Sequence, residues 1–507
     1  MGDQSGRAAR RAVAGETGAG LAASPFRVDR DRVVASPFFA RLAGVTQVVS
    51  PTGSGLLVHN RLTHSLQVAQ VARAIAERLT GDPETAAALE ALGGCDPDVV
   101  EAAALAHDLG HPPFGHLGEQ VLDRLGRERL GLPDGFEGNA QSFRIITTTD
   151  LHGPAGTGLD LTAAVRAAVL KYPWARTAHP DPHPSAAALP PRGGGPLPSA
   201  PAAGSAKFSC YVTELDDLRA SREVFAGPIG PWQQTVEAAV MDTADDIAYA
   251  IHDLEDFHRV GVLQQAGVAT ELGGWLRDRP ALAAAAPSGL GPLRPGSDLE
   301  RLRRRLHDKD GWAVDDDAFA ESVALVREEL VDGLLAVPFD GSMAAERAVA
   351  EFSARWTARL VAGVRVLPDP PVRAAPVTLA TVPWHEVAVL KFVHHRFVLQ
   401  RADLASHQRG QATVLAGLVG ALDDWLTDDV EPVRLPPRLH DLVALAHSEY
   451  TALAADGMLG RDADVAALAR GRAVMDYVAS LTDGQAAALL DVLTGRSGRL
   501  WTDAVVL

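Results

Sequence analysis

Residues 96–116 read DPDVVEAAALAHDLGHPPFGH, a helix-forming run followed by a turn crowded with histidines. Asp96 or Asp98 can cap the start of a helix, Pro97 suits its first turn, and Gly110 ends it. Two adjacent prolines and a second glycine then prevent the helix from continuing. The stretch therefore predicts an α-helix whose end presents several titratable side chains on a stiff turn.

Helices are also predicted on either side of this stretch. Residues 60–82, NRLTHSLQVAQVARAIAERLTGD, place His64 on the same face as the apolar residues of the run, and Gly81 ends it. A further helix is predicted to open near Gly118. Residues 238–260, AAVMDTADDIAYAIHDLEDFHRV, form another, on which one face holds Asp245, Tyr249, His252 and Asp253.

The remainder of the 507-residue chain also predicts helices, with no alternating strand series and no fixed-period repeat. Helical patterns cover 233–260, 299–337, 342–365, 383–402 and 410–427. Residues 1–25 predict a disordered segment, and the Pro- and Gly-rich stretch 177–206 predicts a disordered surface insertion. Shorter breaks fall at 286–297 and 367–377. The predicted fold class is all-α.

Composition limits the classes of function. The net charge of −17 argues against extensive nucleic-acid or membrane binding, because attraction to phosphate needs positive potential. Cys95 and Cys210 are too few for a disulfide framework or a cysteine zinc cluster. No apolar run approaches the roughly 20 residues that span a bilayer. These features predict a cytoplasmic enzyme or binding protein.

His107 and Asp108 are candidate metal ligands. Adjacent residues on a helix point about 100° apart, so both can reach one ion only near a helix end, which Gly110 provides. Imidazole and carboxylate suit a divalent metal, but two ligands leave a site incomplete. An isolated His–Asp pair is more often a cap or a surface feature, so further ligands from the flanking helices are needed. His64 and Asp245 are the candidates.

Read together, His64, His107, Asp108 and Asp245 form the pattern H…HD…D, which resembles the HD-domain phosphohydrolase superfamily. Five motifs occur in an order that is similar to that of the deoxynucleoside triphosphate triphosphohydrolases, the dGTPase family. They are NRLTHS, AHDLGHPPFGHLGE, FEGNAQSFRI, LKYPW and MDTADDIAYAIHDLEDF. The resemblance implies a helical HD core over 26–270 and a C-terminal helical region over 271–507 packed on it.

The resemblance implies hydrolysis of dGTP or several deoxynucleoside triphosphates to a deoxynucleoside and inorganic triphosphate. The four HD residues would hold a divalent ion, Mg, Mn or another transition metal, which activates water for attack at the α-phosphate. His116 would protonate or orient the leaving group, and Glu119 would hold that histidine. His111 is also predicted to be catalytic, because it matches a substrate-facing position of the family.

The resemblance also implies a set of substrate contacts. Lysine is rare in this chain, with four against 43 arginines, so a retained lysine indicates a role that a guanidinium fills poorly. Lys171 in LKYPW, with Tyr172 beside it, and Arg61 match phosphate contacts. Tyr249 resembles a residue that stacks on the deoxyribose and excludes a 2′-hydroxyl. Asp253 resembles a residue that forms a hydrogen bond with the 3′-hydroxyl. The remaining matches to the nucleoside pocket are Gln47 and Asn139.

Three segments depart from the family pattern. Small residues fill 46–59 ahead of the RLTHS motif, the insertion at 177–206 follows LKYPW, and LKFVHHRFVLQR at 390–401 matches only loosely. These departures leave nucleotide preference and allosteric control open.

Two other functions compete with this interpretation. One is HD phosphohydrolysis of a different nucleotide, whose enzymes usually lack HPPFGH and FEGNAQ. The other is a dNTP-binding regulatory or assembly protein with weak activity. The resemblance further implies a homo-oligomer, such as a hexamer, and a dNTP as allosteric activator.

Overall fold

The chain was described with a computed structural model, which covers residues 4–11, 24–48, 58–153, 156–177, 191–197, 200–291, 294–370, 375–428, 434–460 and 462–497. Within these residues the chain forms twenty α-helices and two short two-stranded sheets. The predicted all-α class is confirmed. None of the described helices combines the length and apolar composition that a bilayer crossing requires.

The helices are α1 (Gln4–Arg7), α2 (Pro25–Ala35), α3 (Pro37–Arg41), α4 (Arg61–Gly81), α5 (Pro83–Ala91), α6 (Pro97–Ala106), α7 (Gly115–Glu128), α8 (Gly138–Arg144), α9 (Ala163–Val169), α10 (Leu215–Glu223), α11 (Val236–Arg259), α12 (Gln265–Ala283), α13 (Ser297–Asp310), α14 (Asp316–Val326), α15 (Met343–Ala362), α16 (Thr381–His394), α17 (Ala402–Thr427), α18 (Pro437–Ala455), α19 (Val465–Ala479) and α20 (Asp483–Leu493). The strands are β1 (Pro196–Leu197), β2 (Ala200–Ser205), β3 (Val364–Val366) and β4 (Val377–Leu379), paired β1 with β2 and β3 with β4, both antiparallel. π-Helical turns extend three helices at Ile145–Thr149, Arg327–Gly333 and His395–Leu399.

Local sequence signals set the ends of the helices around the site. Asn60 and Thr63 form a capping box at the start of α4, and α4 ends at Gly81 as predicted. The Asp96 side chain accepts a hydrogen bond from the backbone N–H of Asp98 and caps α6, with Pro97 in the first turn. Helix α6 ends at Ala106, so the His-Asp pair lies in the turn that follows.

Helices α4, α6 and α11 pack against one another at the centre of the fold. Their contacting faces are rich in alanine and β-branched residues, which let helix axes approach closely. Buried members are Val68, Val71, Ala72, Ala102, Ala103, Ala106, Ala244, Ile247, Ala248 and Ile251. This packing brings the end of α6, the start of α4 and the middle of α11 to one place.

The C-terminal helices pack on the same core. Helix α16 lies against α11, and α17 and α19 lie against α7. One continuous cluster of buried apolar side chains runs from Phe26 to Ala486. The division of the chain near residue 270 stays a prediction, because this core continues across it.

Helix α7 follows the turn after α6 and begins at Gly115. The sequence predicts a start near Gly118, three residues later. Phe114 and Gly115 both adopt left-handed backbone conformations, with φ of 66° and 60°. The backbone N–H of Phe114 donates to the Asp483 carboxylate (2.8 Å), which also accepts from the backbone N–H of Thr46 (3.1 Å). Helix α20 therefore holds this turn in place from the far end of the chain.

The prediction of disorder for residues 1–25 is wrong for residues 4–11. Arg7 lies buried and forms an ion pair and hydrogen bond with the buried carboxylate of Glu237, in the first turn of α11. A buried charge is stabilised by such a partner, which fixes the segment against the core. It is also wrong for residues 24 and 25, which cap and begin helix α2, whereas residues 1–3 and 12–23 lie outside the described residues.

The prediction of disorder for 177–206 is also wrong in part. Strands β1 and β2 form a short hairpin, and the backbone N–H of buried Ser205 donates to the Arg176 carbonyl (2.9 Å). Gly204 has φ of 93°, and a side chain there would collide with the Arg176 carbonyl. The Pro- and Gly-rich composition here permits close packing instead of disorder. Residues 178–190 and 198–199 lie outside the described residues.

Candidate metal centre and substrate cavity

The four predicted metal ligands meet where the three central helices converge. His64 lies in the first turn of α4, His107 and Asp108 follow α6, and Asp245 lies in the middle of α11. His64 Nε2 is 3.2 Å from Asp245 Oδ1, and His107 Nε2 is 3.9 Å from the same oxygen. His107 Nε2 also lies 3.4 Å from Asp108 Oδ1. The structure thus brings together residues that are up to 181 positions apart.

The state of His107 fits a metal ligand. Its Nδ1 is 2.6 Å from the Ala104 carbonyl oxygen, so Nδ1 carries the proton and Nε2 keeps a lone pair. That Nε2 is buried, has no hydrogen-bond partner among the described residues and faces the two carboxylates. Buried polar atoms that lack a hydrogen-bond partner are rare, so such an atom indicates that a further group binds there. Imidazole nitrogens and carboxylate oxygens are donors that suit a divalent cation, so this set can hold one.

Asp108 is held as a carboxylate by its neighbours. Burial raises its pKa, but His107, His111 and the Arg61 guanidinium outweigh burial and hold that pKa well below its usual range. Arg61 Nη1 donates to Asp108 Oδ2 at 2.7 Å, and both side chains are buried. Within the part of the chain that the structure describes, Arg61 Nη2 and Nε have no partner. The predicted phosphate contact of Arg61 stays a prediction, although Nη2 keeps a free donor.

His111 lies inside the site, against the metal ligands. Its Nδ1 is 2.9 Å from Asp108 Oδ1. Burial, together with the nearby Arg61 charge, lowers the pKa of His111 to about 4, so its ring is neutral near pH 7. The His111 and His116 ring centroids are 5.3 Å apart. His111 therefore connects the metal ligands to the predicted catalytic pair.

His116 and Glu119 form that pair on the first turn of α7. The His116 side chain is 63% exposed, and its Nδ1 lies 3.2 Å from Oε2 of buried Glu119. Burial raises the pKa of Glu119, but Lys207 and His116 outweigh it and hold that pKa well below its usual range. An ionised carboxylate can fix the proton on Nδ1 and leave Nε2 facing outward.

Lys207 is a residue of this site that the sequence interpretation missed. Its Nζ donates to Glu119 Oε1 (2.8 Å) and to Glu137 Oε1 (3.0 Å). Asn139 joins the same cluster, because its Nδ2 also donates to Glu137 Oε1 (2.9 Å). Burial raises the pKa of Glu137 to about 7 despite the Lys207 charge. The rarity of lysine in the chain was the signal that could have pointed to Lys207.

A cavity of about 450 Å³ adjoins the metal ligands on the side of α11. Lys171 marks the junction, because its Nζ donates to Asp245 Oδ2 (2.9 Å) and forms an ion pair with Asp242 Oδ1 (2.7 Å). Lys309 and Lys391 also line the cavity, so three of the four lysines face it and the fourth binds Glu119. Lysine is therefore concentrated in the wall of this cavity, although it is rare in the chain as a whole.

Three of the predicted substrate residues line the cavity: Lys171, Tyr172 and Tyr249. The other four do not: Gln47, Arg61, Asn139 and Asp253. Gln47 is buried, and its Oε1 has no hydrogen-bond partner among the residues that the structure describes. Neighbouring side chains that the sequence interpretation missed are Arg192, Asp242, Asp246 and Lys391. Asp246 accepts from Lys391 (2.5 Å) and Arg192 (3.0 Å), and this Arg192 belongs to the segment that was predicted to be a disordered insertion.

Comparison with known proteins now adds to this geometry. A family model described as HD domain matches residues 61–145, which contain His64, His107, Asp108 and the turn that follows. The chain is 35% identical over 481 residues to a deoxyguanosinetriphosphate triphosphohydrolase-like protein of Streptomyces coelicolor, which covers 93% of this chain and 92% of that protein. The chain belongs to the deoxyguanosinetriphosphate triphosphohydrolase-like family of HD-domain proteins. This confirms the family predicted from the motifs.

Two further members of the deoxyguanosinetriphosphate triphosphohydrolase-like family match about half of the chain. The protein of Corynebacterium glutamicum is 38% identical over 240 residues, which is 46% of each chain. The protein of Bifidobacterium longum is 38% identical over 237 residues, which is 46% of this chain and 41% of that protein. The HD domain places the family among the phosphohydrolases, and the clustered histidines and aspartate can hold the divalent metal that HD domains bind.

Proposed function

We propose that the protein is a metal-dependent triphosphohydrolase that converts dGTP or several deoxynucleoside triphosphates to a deoxynucleoside and inorganic triphosphate. One observation carries the proposal: an exposed His116, backed by an ionised Glu119, lies beside a buried set of metal ligands next to a lysine-lined cavity. The names of the relatives, which refer to dGTP, support the same substrate class.

His64, His107, Asp108 and Asp245 would hold the divalent cation. When bound, such a cation lowers the pKa of water and offsets negative charge that develops on phosphate oxygens. The protein itself keeps these ligands ready for the metal. The Ala104 carbonyl fixes the tautomer of His107, and Arg61 keeps Asp108 ionised.

His116 supplies the proton for the leaving group. Attack of water at the α-phosphorus forms a new P–O bond and breaks the bond from that phosphorus to the 5′ oxygen. The 5′ oxygen then needs one proton, which His116 Nε2 donates while Glu119 stabilises the charged ring through Nδ1. The triphosphate and the 5′-hydroxyl of the deoxynucleoside are the two products.

The cavity lining carries five lysine and arginine side chains against three aspartates in an otherwise acidic protein, and three of these cations are paired with aspartates. Lys171, Lys391 and Arg192 lie on its wall, and Arg305 and Lys309 on α13 extend the positive charge to an exposed rim. Compact ammonium groups bind phosphate as point charges, which fits the concentration of rare lysines here.

Product analysis tests the proposal. Purified protein is incubated with each dNTP and with Mg²⁺ or Mn²⁺, and the products are resolved by chromatography and ³¹P NMR. Deoxynucleoside plus intact triphosphate is the expected result. Pyrophosphate with a monophosphate, phosphate with a diphosphate, or no turnover would refute it. His116→Ala should abolish turnover, whereas His440→Ala, an exposed histidine on α18, should leave it unchanged.

We also propose that the protein assembles as a homo-oligomer and that a dNTP activates it, as the family resemblance implies. Light scattering behind size-exclusion chromatography, with and without dNTP, tests the assembly, and the rate of hydrolysis measured against dNTP concentration tests the activation. A monomer under every condition would contradict the assembly, and a hyperbolic rate against dNTP concentration would contradict activation.

A further inference from the structure

A buried histidine outside the HD helices contacts two of the predicted sugar-binding residues. His394, the last residue of α16, has its Nδ1 2.9 Å from Tyr249 Oη and 3.3 Å from Asp253 Oδ2. Its ring also stacks on Phe257, with centroids 5.5 Å apart and planes 24° apart. One imidazole from the C-terminal region thus contacts three successive turns of α11.

The spacing on α11 explains why a single ring reaches all three residues. Tyr249, Asp253 and Phe257 are four residues apart and lie on one face of the helix. His394 is fully buried, and burial lowers its pKa to about 3, so the ring is neutral. A neutral imidazole has one donor and one acceptor nitrogen, and Nε2 is buried with no partner among the described residues. Nδ1 forms its hydrogen bond with the Tyr249 hydroxyl, whereas Asp253 Oδ2 lies within contact distance without a hydrogen bond.

Tyr249 is the member of this group that faces the cavity. Its ring forms an edge-to-face contact with His394, with centroids 5.2 Å apart and planes 74° apart. On the cavity side, Lys391 Nζ lies 5.6 Å from the centre of the Tyr249 ring. His394 thus fixes the position of the Tyr249 hydroxyl and the plane of the Tyr249 ring, which forms part of the cavity wall.

We propose that His394 is a positioning residue for sugar selection: it holds the Tyr249 ring in place, so that the site accepts deoxyribose and rejects ribose. The inference rests on the proposed function and on the predicted packing of Tyr249 against the sugar. A ring fixed at its tip cannot rotate away to admit a 2′-hydroxyl. Without the imidazole, a void opens behind the ring and its side-chain torsions are free to change.

Three variants and a matched control test the inference. His394→Ala removes the contact, and His394→Asn keeps a polar atom near the place of Nδ1. Tyr249→Phe removes the hydroxyl that Nδ1 contacts. His385→Ala is the control, because His385 is equally buried on the same helix but contacts the backbone of Thr381 and Asp315.

The measurement is the ratio of kcat/KM for a dNTP to kcat/KM for the ribonucleotide with the same base. We expect His394→Ala and Tyr249→Phe to lower this ratio about tenfold, and His394→Asn to restore most of it. His385→Ala should lower the Tm without changing the ratio. A folded His394→Ala protein whose ratio stays within about twofold of wild type would overturn the inference.

Calorimetric binding separates this inference from the proposed function. Binding of the dNTP and the ribonucleotide is measured in EDTA, where hydrolysis does not interfere. If the wild-type protein binds dNTPs but hydrolyses none, the proposed activity is wrong and the ratio of the two Kd values tests His394 by the same criterion. If it binds neither nucleotide in EDTA and hydrolyses neither with Mg²⁺ or Mn²⁺, both the proposed function and this inference are wrong.

Discussion

Replacing Lys207 with methionine tests whether this lysine controls the predicted catalytic pair. The side chain is 40% exposed, but its two partners, Glu119 and Glu137, are buried and receive their hydrogen bonds from Nζ at 2.8 and 3.0 Å. Methionine keeps most of the length of the side chain and removes the charge. Two buried carboxyl groups would then remain without their shared cation.

The expected effect follows from the pKa of Glu119. Burial alone would raise that pKa, and Lys207 is the largest of the charges that hold it down. Because the pKa is depressed, the carboxylate persists until the pH falls through that low value. Without Lys207 the pKa rises, so the ionised Glu119 that supports His116 is lost at a higher pH. We expect kcat to fall about 10- to 100-fold, a part of what general acid catalysis contributes.

The assay is a profile of kcat against pH for the wild type and Lys207→Met. The acid limb should move to higher pH in the variant, while KM changes little, because Lys207 does not line the cavity. Arg219→Met is the control, since Arg219 pairs with Asp216 at an exposed site on α10. A Lys207→Met protein with kcat within about twofold of wild type and an unshifted acid limb would refute the reasoning.

Three further predictions concern the metal, the turn and the N-terminal segment. Asp108→Ala should lose bound divalent metal, measured by mass spectrometry after dialysis, and retention of one equivalent would contradict the ligand assignment. Gly110→Ala should lower the Tm, because a Cβ there would lie 2.1 Å from the backbone nitrogen of Ser142. Gly410 has open space around it, so the control variant Gly410→Ala should not lower the Tm. Equal Tm values for the two variants would be inconsistent with this packing. Arg7→Met should lower the free energy of unfolding in urea by about 3–5 kcal/mol, because its buried glutamate partner would lose its counter-charge. A change below about 1 kcal/mol would show that the N-terminal segment is not fixed to the core.

The ligand set could be predicted from the sequence because local patterns position each member. Periodicity places His64 and Asp245 on helices, and Gly110 indicates the helix end at which His107 and Asp108 both face inward. The structure brings all four together, as the H…HD…D pattern predicts. The catalytic and binding roles of these residues remain predictions that the experiments above address.

Lys207 and His394 could not be predicted in the same way. Each contacts its partners across 70 or more residues, and neither belongs to a periodic pattern that specifies the contact. Composition also misled the interpretation of the Pro- and Gly-rich insertion. A low-complexity stretch is predicted as disordered because it cannot form its own core, yet Ser205 and Gly204 pack on a core that other segments supply.

The contact between Asp483 and the turn has a consequence for the order in which the site can form during synthesis. Residues 61–145, which match the HD domain, leave the ribosome long before α20 exists. Until then the backbone N–H of Phe114 lacks its acceptor, and Arg41 lacks the carbonyl groups of Ala479 and Leu481 that its guanidinium binds at 2.7 Å. A nascent chain therefore carries every predicted metal ligand for nearly half of its synthesis without the support that shapes the turn. Completion of the last helices, rather than emergence of the HD residues, sets the moment at which the proposed site can be complete.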